Sequence, residues 1–370
     1  MPKLCFLFTI EDMKKGNQSK NKSTSFDING IGQPNGNIFG LPFSYEESEV
    51  IILPVPWEVT ASFGSGTANG PEAIMEASIQ LDFYDADFPE KWKKGIFMKP
   101  VSLEIKKLNS KLKKQADVCI NYLEKNDNFS DNSKIKKNFE EINQKSEELN
   151  KKIEKESLKI IKDKKIAAVL GGDHSAPLGL LSALSKTYDS FGILHIDAHL
   201  DLRKAYEGFA YSHASVMRNA SLFPEIKKFI HLGVRDFCEE EINFTKKNST
   251  RHLVFSDRYL KEEKFKGVDW HKISWKIIKN LPSNVYVSFD IDGLDPKLCP
   301  HTGTPVPGGL EFEEAFYLIK QIKKSGRKII GFDLSEVAPA SKNKKTWQAD
   351  WNANVGMRTL YRLFLATSLK

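Results

Sequence analysis

An apolar run, Phe191-Gly192-Ile193-Leu194, passes directly into His195-Ile196-Asp197-Ala198-His199-Leu200-Asp201. Short and continuous, it reads as a buried strand that ends where the acidic residues begin. In extended chain, side chains at i and i+2 share one side, so Asp197, His199 and Asp201 can converge if the strand end bends. Two carboxylates and an imidazole held together would repel or stay unsatisfied without a cation. Carboxylate oxygen with neutral imidazole suits manganese, zinc, nickel or iron.

Taken alone, an Asp-x-His at a strand end is more often a hydrogen-bonded loop than a metal site. Two further stretches change that balance. Ala167-Ala168-Val169-Leu170 ends in Gly171-Gly172-Asp173-His174-Ser175, and Val285-Tyr286-Val287-Ser288-Phe289 ends in Asp290-Ile291-Asp292-Gly293-Leu294-Asp295-Pro296. His174, Asp197, His199, Asp201, Asp290 and Asp292 are more ligands than one ion can take while leaving room for substrate. Two divalent ions fit better, since four aspartates balance their charge and such a pair brings a shared water toward a neutral pKa.

Apolar runs near 191–196, 229–234, 285–289 and 329–334 alternate with helix-length segments such as Leu178 to Lys186 and Glu311 to Lys324. Alternation of this kind predicts a three-layer α/β/α fold with a mostly parallel central sheet, its ligands gathered outside the carboxyl ends of the strands. Glu49 to Pro56 reads as the first strand, ended by Pro54 and Pro56. Asn69-Gly70-Pro71-Glu72 opens a helix, with proline suited to its first turn and Glu72 to the positive end of its dipole. Between Lys106 and Lys165 charged residues dominate. There Ile135, Phe139, Ile142, Leu149 and Ile153 recur at helical spacing, with Ser146 in the missing turn, so a long amphipathic helix is expected. The turn 126–132 separates it from an earlier helix. Residues 13–47 carry few clustered apolar side chains, and 1–47 are expected as a partly extended or disordered arm before a single catalytic domain over 48–370.

The motifs at 171–175, 197–201 and 288–296 resemble those of the ureohydrolases, the superfamily of arginase, agmatinase and formimidoylglutamase. The similarity runs from about Ile51 to the C-terminus. The resemblance implies one ion held by His174, Asp197, Asp201 and Asp290 and a second by Asp197, His199, Asp290 and Asp292, with Asp197 and Asp290 as bridges. It implies manganese by default with nickel as the alternative, and a homo-oligomer, trimeric or hexameric. His213, in Tyr211-Ser212-His213-Ala214-Ser215, is implied to shuttle a proton or touch substrate, a task suited to a group titrating near neutrality. Asp292 shares the proton relay, and Glu336, past the run Lys328 to Leu334, would hold the substrate guanidinium through paired charged hydrogen bonds. Asp173, Asp295 and Asp333 are candidates to orient ligand histidines or backbone. The loop Pro300 to Gly309 resembles the family lid, with His301 in place of glycine expected to narrow the pocket and bind a small or unusual guanidine. The segment Trp347 to Gly356 departs from the family pattern. His231, His252 and His271 show no partner pattern and read as structural.

The activity implied is hydrolysis of a small guanidino compound, such as agmatine, a guanidino acid or free guanidine, to urea and an amine or ammonia. Formimidoylglutamate hydrolysis to formamide, deacylation on a similar architecture, and a non-catalytic metal-binding paralogue are the rivals. Retention of both His174 and His199 argues against deacylation, and retention of all six ligands against the paralogue. With 370 residues and 40% apolar content the chain can bury a large core, and no stretch approaches the ~18 apolar residues of a membrane helix. The start, Met1 to Ile10, is briefly apolar, but Glu11 and Asp12 follow, so it is not read as a signal peptide. Cys5, Cys119, Cys238 and Cys299 are scattered, which favours a reduced, cytoplasmic setting. The net charge of +7 comes mainly from lysine without interleaved aromatics, pointing to a solvated surface and away from nucleic acid.

Overall fold

The computed structural model describes residues 26–125 and 132–367. Its strands are β1 (Val50–Val55), β2 (Ile96–Met98), β3 (Ile166–Gly171), β4 (Phe191–Ile196), β5 (Ile226–Leu232), β6 (His252–Phe255), β7 (Asn284–Asp290) and β8 (Lys328–Ser335). They form one sheet in the order β2-β1-β3-β8-β7-β4-β5-β6, with every neighbouring pair parallel. Parallel strands need crossovers, and helices supply them: α1 (Gly70–Ala77), α2 (Leu103–Leu123), α3 (Ser133–Lys162), α4 (Leu178–Ser185), α5 (Val216–Ala220), α6 (Glu239–Lys247), α7 (Asp257–Phe265), α8 (Trp270–Ile278) and α9 (Phe312–Lys324), with α10 (Trp351–Ala366) following the last strand.

The strands are apolar throughout because both faces are covered. Ile52, Ala168, Leu194, Ile230 and Val287 pack with Ile74 of α1, Ile277 of α8, Ile319 of α9 and Leu360 of α10. Their neighbours Ile51, Val169, Ile193, Phe229 and Tyr286 pack on the other face with Leu112 of α2, Ile142 of α3 and Leu181 of α4. The period of two along each strand therefore divides the core between two helical layers.

Helix α3 buries Ile135, Phe139, Ile142, Ser146, Leu149 and Ile153, the stripe its spacing predicts, and continues it through Ser157 and Ile160. Asn132 caps it, its side chain accepting from the backbone N–H groups of Lys134 and Ile135. The expected turn at 126–132 lies outside the described residues except for that cap. The described part of the N-terminal arm is anchored at residues 37–41. Ile38, Phe39 and Leu41 are buried in the core, and the Asn37 amide donates to Ile96 O and accepts from Met98 N on β2. Residues 37–41 are thus packed at the β2 edge, because Ile38, Phe39 and Leu41 sit together on one short turn, while most of 27–36 is exposed. Two elements lack a clear signal in the sequence: β2 has three residues, and β6 has four with only its end residues buried.

Candidate metal centre

Strands β3, β8, β7 and β4 lie side by side in the middle of the sheet, and their carboxyl ends carry the acidic motifs. The backbone there is specialised. A Cβ on Gly172 would stand 2.1 Å from the Trp57 carbonyl oxygen, so only glycine lets the loop after β3 turn over Trp57. A Cβ on Gly293 would stand 2.6 Å from Asp197 N, so glycine lets the end of β7 close onto the end of β4. Asp201 (φ 54°) and Glu336 (φ 64°) adopt left-handed backbone, a costly conformation that tends to collect at functional sites.

The side chains converge as follows. His174 Nδ1 lies 2.9 Å from Asp201 Oδ2, 3.0 Å from Asp197 Oδ2 and 3.4 Å from Asp290 Oδ2. His199 Nδ1 lies 3.1 Å from Asp292 Oδ2 and 3.3 Å from Asp197 Oδ1. Two sets of potential metal-ligating atoms result, one drawn from His174, His195, Asp197 and Asp201 and one from Asp197, His199 and Asp292. Asp197 belongs to both. Asp290 is in neither set, but it is buried against His174 and its Oδ1 accepts from Asp292 N at 2.8 Å.

The electrostatics of this cluster call for cations. Against the cost of burial, hydrogen bonds to Asp197 and Asp201 hold His174 well above the ordinary imidazole range, and Asp292 and Asp197 raise His199 to about 12. Burial and then repulsion from Asp292 and Asp197 push Asp290 well up, and burial with Asp197 raises Asp201 to about 6. Groups that bind protons this avidly are the donor set into which divalent ions fit, by the chemistry of buried carboxylates paired with imidazole.

The surrounding residues divide between those that serve the cluster and those that do not. His174 Nε2 meets Ser288 Oγ at 2.9 Å, with Asp333 Oδ2 at 3.6 Å behind it, and Asp333 Oδ1 accepts from the Tyr286 hydroxyl at 2.7 Å. Glu336 Oε1 accepts from His174 N at 2.8 Å, and burial followed by Asp173 and Asp292 pushes its carboxyl well up. Asp173 accepts from Ser175 N and Oγ, so it shapes the turn. Asp295 does not orient a ligand: its carboxylate accepts from Lys297 N and pairs with the Lys297 ammonium, because the turn into Pro296 faces it outward.

His174, His199, Asp201, His213, Asp290, Asp292 and Glu336 open together onto one cavity of about 410 Å³, walled further by Phe63, Arg203, Tyr206, Asp236, Phe237 and Val306. His213 is expected to titrate near neutrality, but burial and then the imidazoles of His199 and His174 lower it to about 4. His301 is expected at the pocket and is not there. It is exposed, its ring nitrogen 3.1 Å from Asn352 Nδ2 and its N–H donating to Asn352 Oδ1 at 3.2 Å, because buried Asn352 on the first turn of α10 holds it away from the cavity. Gly303, Thr304, Pro305 and Val306 line the cavity instead.

Three features are absent from the sequence reading. His195 lies in the central motif, yet only the structure shows it against Asp197. Arg235 donates through Nη2 to Asp292 O at 2.7 Å and Val306 O at 3.0 Å, tying the end of β7 to the loop over the cavity. Buried Glu241 accepts from Leu202 N and Cys238 N, both at 3.0 Å, which pins the segment after Asp201 to α6. Gly233-Val234-Arg235 just past β5 is a signal that could have flagged the arginine; Glu241, inside a helix-start acidic run, offers none.

A protein-family description, the Arginase family, matches residues 48–361. An N(1)-aminopropylagmatine ureohydrolase of Thermococcus kodakarensis is 30% identical over 294 residues, covering 79% of this chain and 84% of that protein. An agmatinase of Halalkalibacterium halodurans is 29% identical over 310 residues, covering 82% and 89%. Among solved structures, the proclavaminate amidino hydrolase of Streptomyces clavuligerus shares the fold with a TM-score of 0.66 at 20% identity, covering 91% of this chain and 99% of that one. The agmatine ureohydrolase of Thermoplasma volcanium follows with a TM-score of 0.64 at 22% identity, covering 88% and 92%. With the family description matching residues 48–361 and with the buried His/Asp cluster inside that span, the chain is a member of the arginase family of ureohydrolases.

Proposed function

We propose that this protein hydrolyses the guanidino group of an alkylamine, agmatine or its N-aminopropyl derivative, to urea and the free amine. The observation that carries the reading is the convergence of His174, His199, Asp201, Asp290 and Asp292 beside Glu336 in one cavity, with Asp197 buried against both imidazoles behind them. His174, Asp197, Asp201 and Asp290 would hold one ion, and Asp197, His199, Asp290 and Asp292 would hold a second. Both are read as divalent, manganese or nickel.

When bound, two such cations supply Lewis acidity and a nucleophile active at neutral pH. The chain's own residues do the rest. Glu336 accepts N–H bonds from the guanidinium, and its oxygen already fixed by His174 N sets the plane in which the substrate lies. His213, its imidazole kept in the neutral form first by burial, accepts a proton as water adds to the guanidinium carbon and returns it to the departing nitrogen. The C–N bond to the alkyl nitrogen breaks, and urea and an alkylammonium leave. Arg235, through Asp292 O and Val306 O, keeps the loop over the cavity in register with the ligands.

The tail preference follows from size and charge. A cavity of about 410 Å³ falls in the range of small-molecule sites and leaves room beyond a bare guanidinium. Of the acids on its outer wall, Glu241 is engaged by backbone N–H groups and lies 3.9 Å from Arg203, while Asp236 is exposed on the same wall as Phe63, Tyr206 and Phe237. A carboxylate sharing a wall with aromatic rings favours an ammonium tail over a carboxylate tail. The names of the curated relatives, agmatinase and N(1)-aminopropylagmatine ureohydrolase, agree with that preference.

The test is a substrate panel on protein loaded with Mn(II) or Ni(II): agmatine, N-aminopropylagmatine, arginine, guanidinobutyrate, guanidine and formimidoylglutamate, each assayed for urea and formamide. Urea from the two amines is expected. Urea from the carboxylates alone would overturn the tail assignment, and formamide as the sole product would overturn guanidine hydrolysis itself.

A further inference from the structure

Three buried histidines stand in a row on neighbouring strands outside the cavity. His195 on β4 pairs in register with His231 on β5, and His252 on β6 lies beside them. His195 Nε2 is 2.8 Å from Asp197 Oδ2, His195 Nδ1 is 2.9 Å from His231 Nδ1, and His231 Nε2 is 3.1 Å from His252 Nδ1. The row ends in an aromatic clamp. The His252 ring stacks on Phe229 at 4.4 Å and meets the edge of Phe244 at 5.2 Å, and its Nε2 has no hydrogen-bond partner among the described residues.

The direction of the row follows from its first member. An ionised carboxylate can only accept, so the hydrogen of His195 lies on Nε2 and its Nδ1 offers a lone pair. His231 must then donate from Nδ1 and accept at Nε2, and His252 must donate from Nδ1. The orphan atom at the far end is therefore a lone pair. The opposite order, with His195 Nε2 as a metal ligand, would bury an N–H without a partner at His252. The guanidinium of Arg218 over Phe244 (3.9 Å) and that of Arg251 over Phe229 (5.5 Å) put positive charge beside the outer end, so the row is a poor path for protons. It is well suited to holding still what it touches.

We infer that His195, His231 and His252 form a one-way chain of hydrogen-bond donors that locks the Asp197 carboxylate in the orientation shared by both ligand sets, so that His231 and His252 are positioning residues for metal retention. The inference rests on the ligand assignment proposed above. Partners of metal ligands commonly contribute roughly 10- to 100-fold to metal affinity, and the effect of His231 passes through one further ring.

The experiment uses the full chain, stripped of metal and titrated with Mn(II) by calorimetry and by the electron-spin signal of the free ion. His231→Phe, which removes the donor, is expected to weaken Mn(II) binding roughly ten-fold. His231→Asn, whose amide N–H can replace the Nδ1 donor, should restore much of it, and His252→Phe should show a smaller loss. Wild-type affinity in His231→Phe and His252→Phe, with two Mn(II) still bound by the parent, overturns the inference alone. A parent that binds no pair of Mn(II) overturns the ligand assignment instead. A second measurement stands if a variant does not fold: ¹⁵N-histidine spectra of the Zn(II)-loaded wild-type protein should show hydrogen on Nε2 of His195 and on Nδ1 of His231 and His252. Hydrogen on Nδ1 of His195 would overturn the proposed direction and make that residue a ligand.

Discussion

Helix α3 and the carboxyl ends of β3, β4, β7 and β8 are both dense in charge, and they use it in opposite ways. On α3 the lysines and glutamates face water and pair loosely, as Lys145 with Glu148 and Lys151 with Glu147, while Ile135 to Ile160 secure the helix to the sheet. Exposed pairs of that kind contribute little. At the strand ends Asp197, Asp201, Asp290 and Asp292 are buried within a few ångströms of two imidazoles. The same side-chain chemistry is thus interchangeable in one region and indispensable in the other, and the difference is access to water.

The sharpest way to break that contrast is Asp197→Asn. It removes the carboxylate common to both ligand sets and should lower turnover by roughly 10³-fold or more, with metal content falling in parallel when measured by atomic emission. Unchanged metal content would contradict the ligand assignment. Glu336→Gln should keep the metals yet lose about 2–4 kcal/mol of substrate stabilisation, read as a fall in kcat/KM from roughly 30-fold to nearly 10³-fold.

On the α3 side, Ile142→Ala, at a fully buried position, should cost about 2–5 kcal/mol in urea unfolding. Lys145→Ala should leave the melting temperature where it was, and a clear drop would erase the distinction between the two regions. A pH series refines the comparison further. Burial, then Arg251 and Arg218, hold His252 down at about 3, whereas an unfolded histidine titrates near ~6.5. The unfolded chain therefore takes up a proton that the folded one refuses. Stability from this site is whole above about pH 6.5 and falls by about 1.4 kcal/mol per pH unit as pH drops toward 3. His252→Phe should unfold with a correspondingly shallower acid slope than wild type. The smallest effect belongs to His301→Gly, which should leave KM for the preferred guanidine unaltered, since the ring is held against Asn352 outside the cavity.

Much of this was legible along the chain because the signals are local. Continuous apolar runs ending in acids marked β3, β4 and β7, since a strand buried on both faces leaves polar side chains only its tip. The period of 3.6 marked α3. What escaped has equally physical causes. β2 and β6 are too short to carry a pattern, and the fully buried apolar residues of 26–47, Ile38, Phe39 and Leu41, form too short a cluster to show a period. His301 was misplaced because a loop's direction depends on its anchor, here Asn352 some fifty residues later. His231 and His252 looked partnerless because their partners lie on adjacent strands.

By itself, the order of residues determined that apolar strands alternate with helices and that imidazoles and carboxylates cluster at strand tips, because both depend on spacings of a few residues. Only the tertiary structure decided that β8 and β7, the last strands made, insert between β3 and β4. That insertion brings Glu336 and Asp292 to the acids of Asp197 and Asp201, while the side-by-side pairing of β4, β5 and β6 lines up His195, His231 and His252 across three strands. Strand order is settled by packing among distant segments, and no local spacing encodes it.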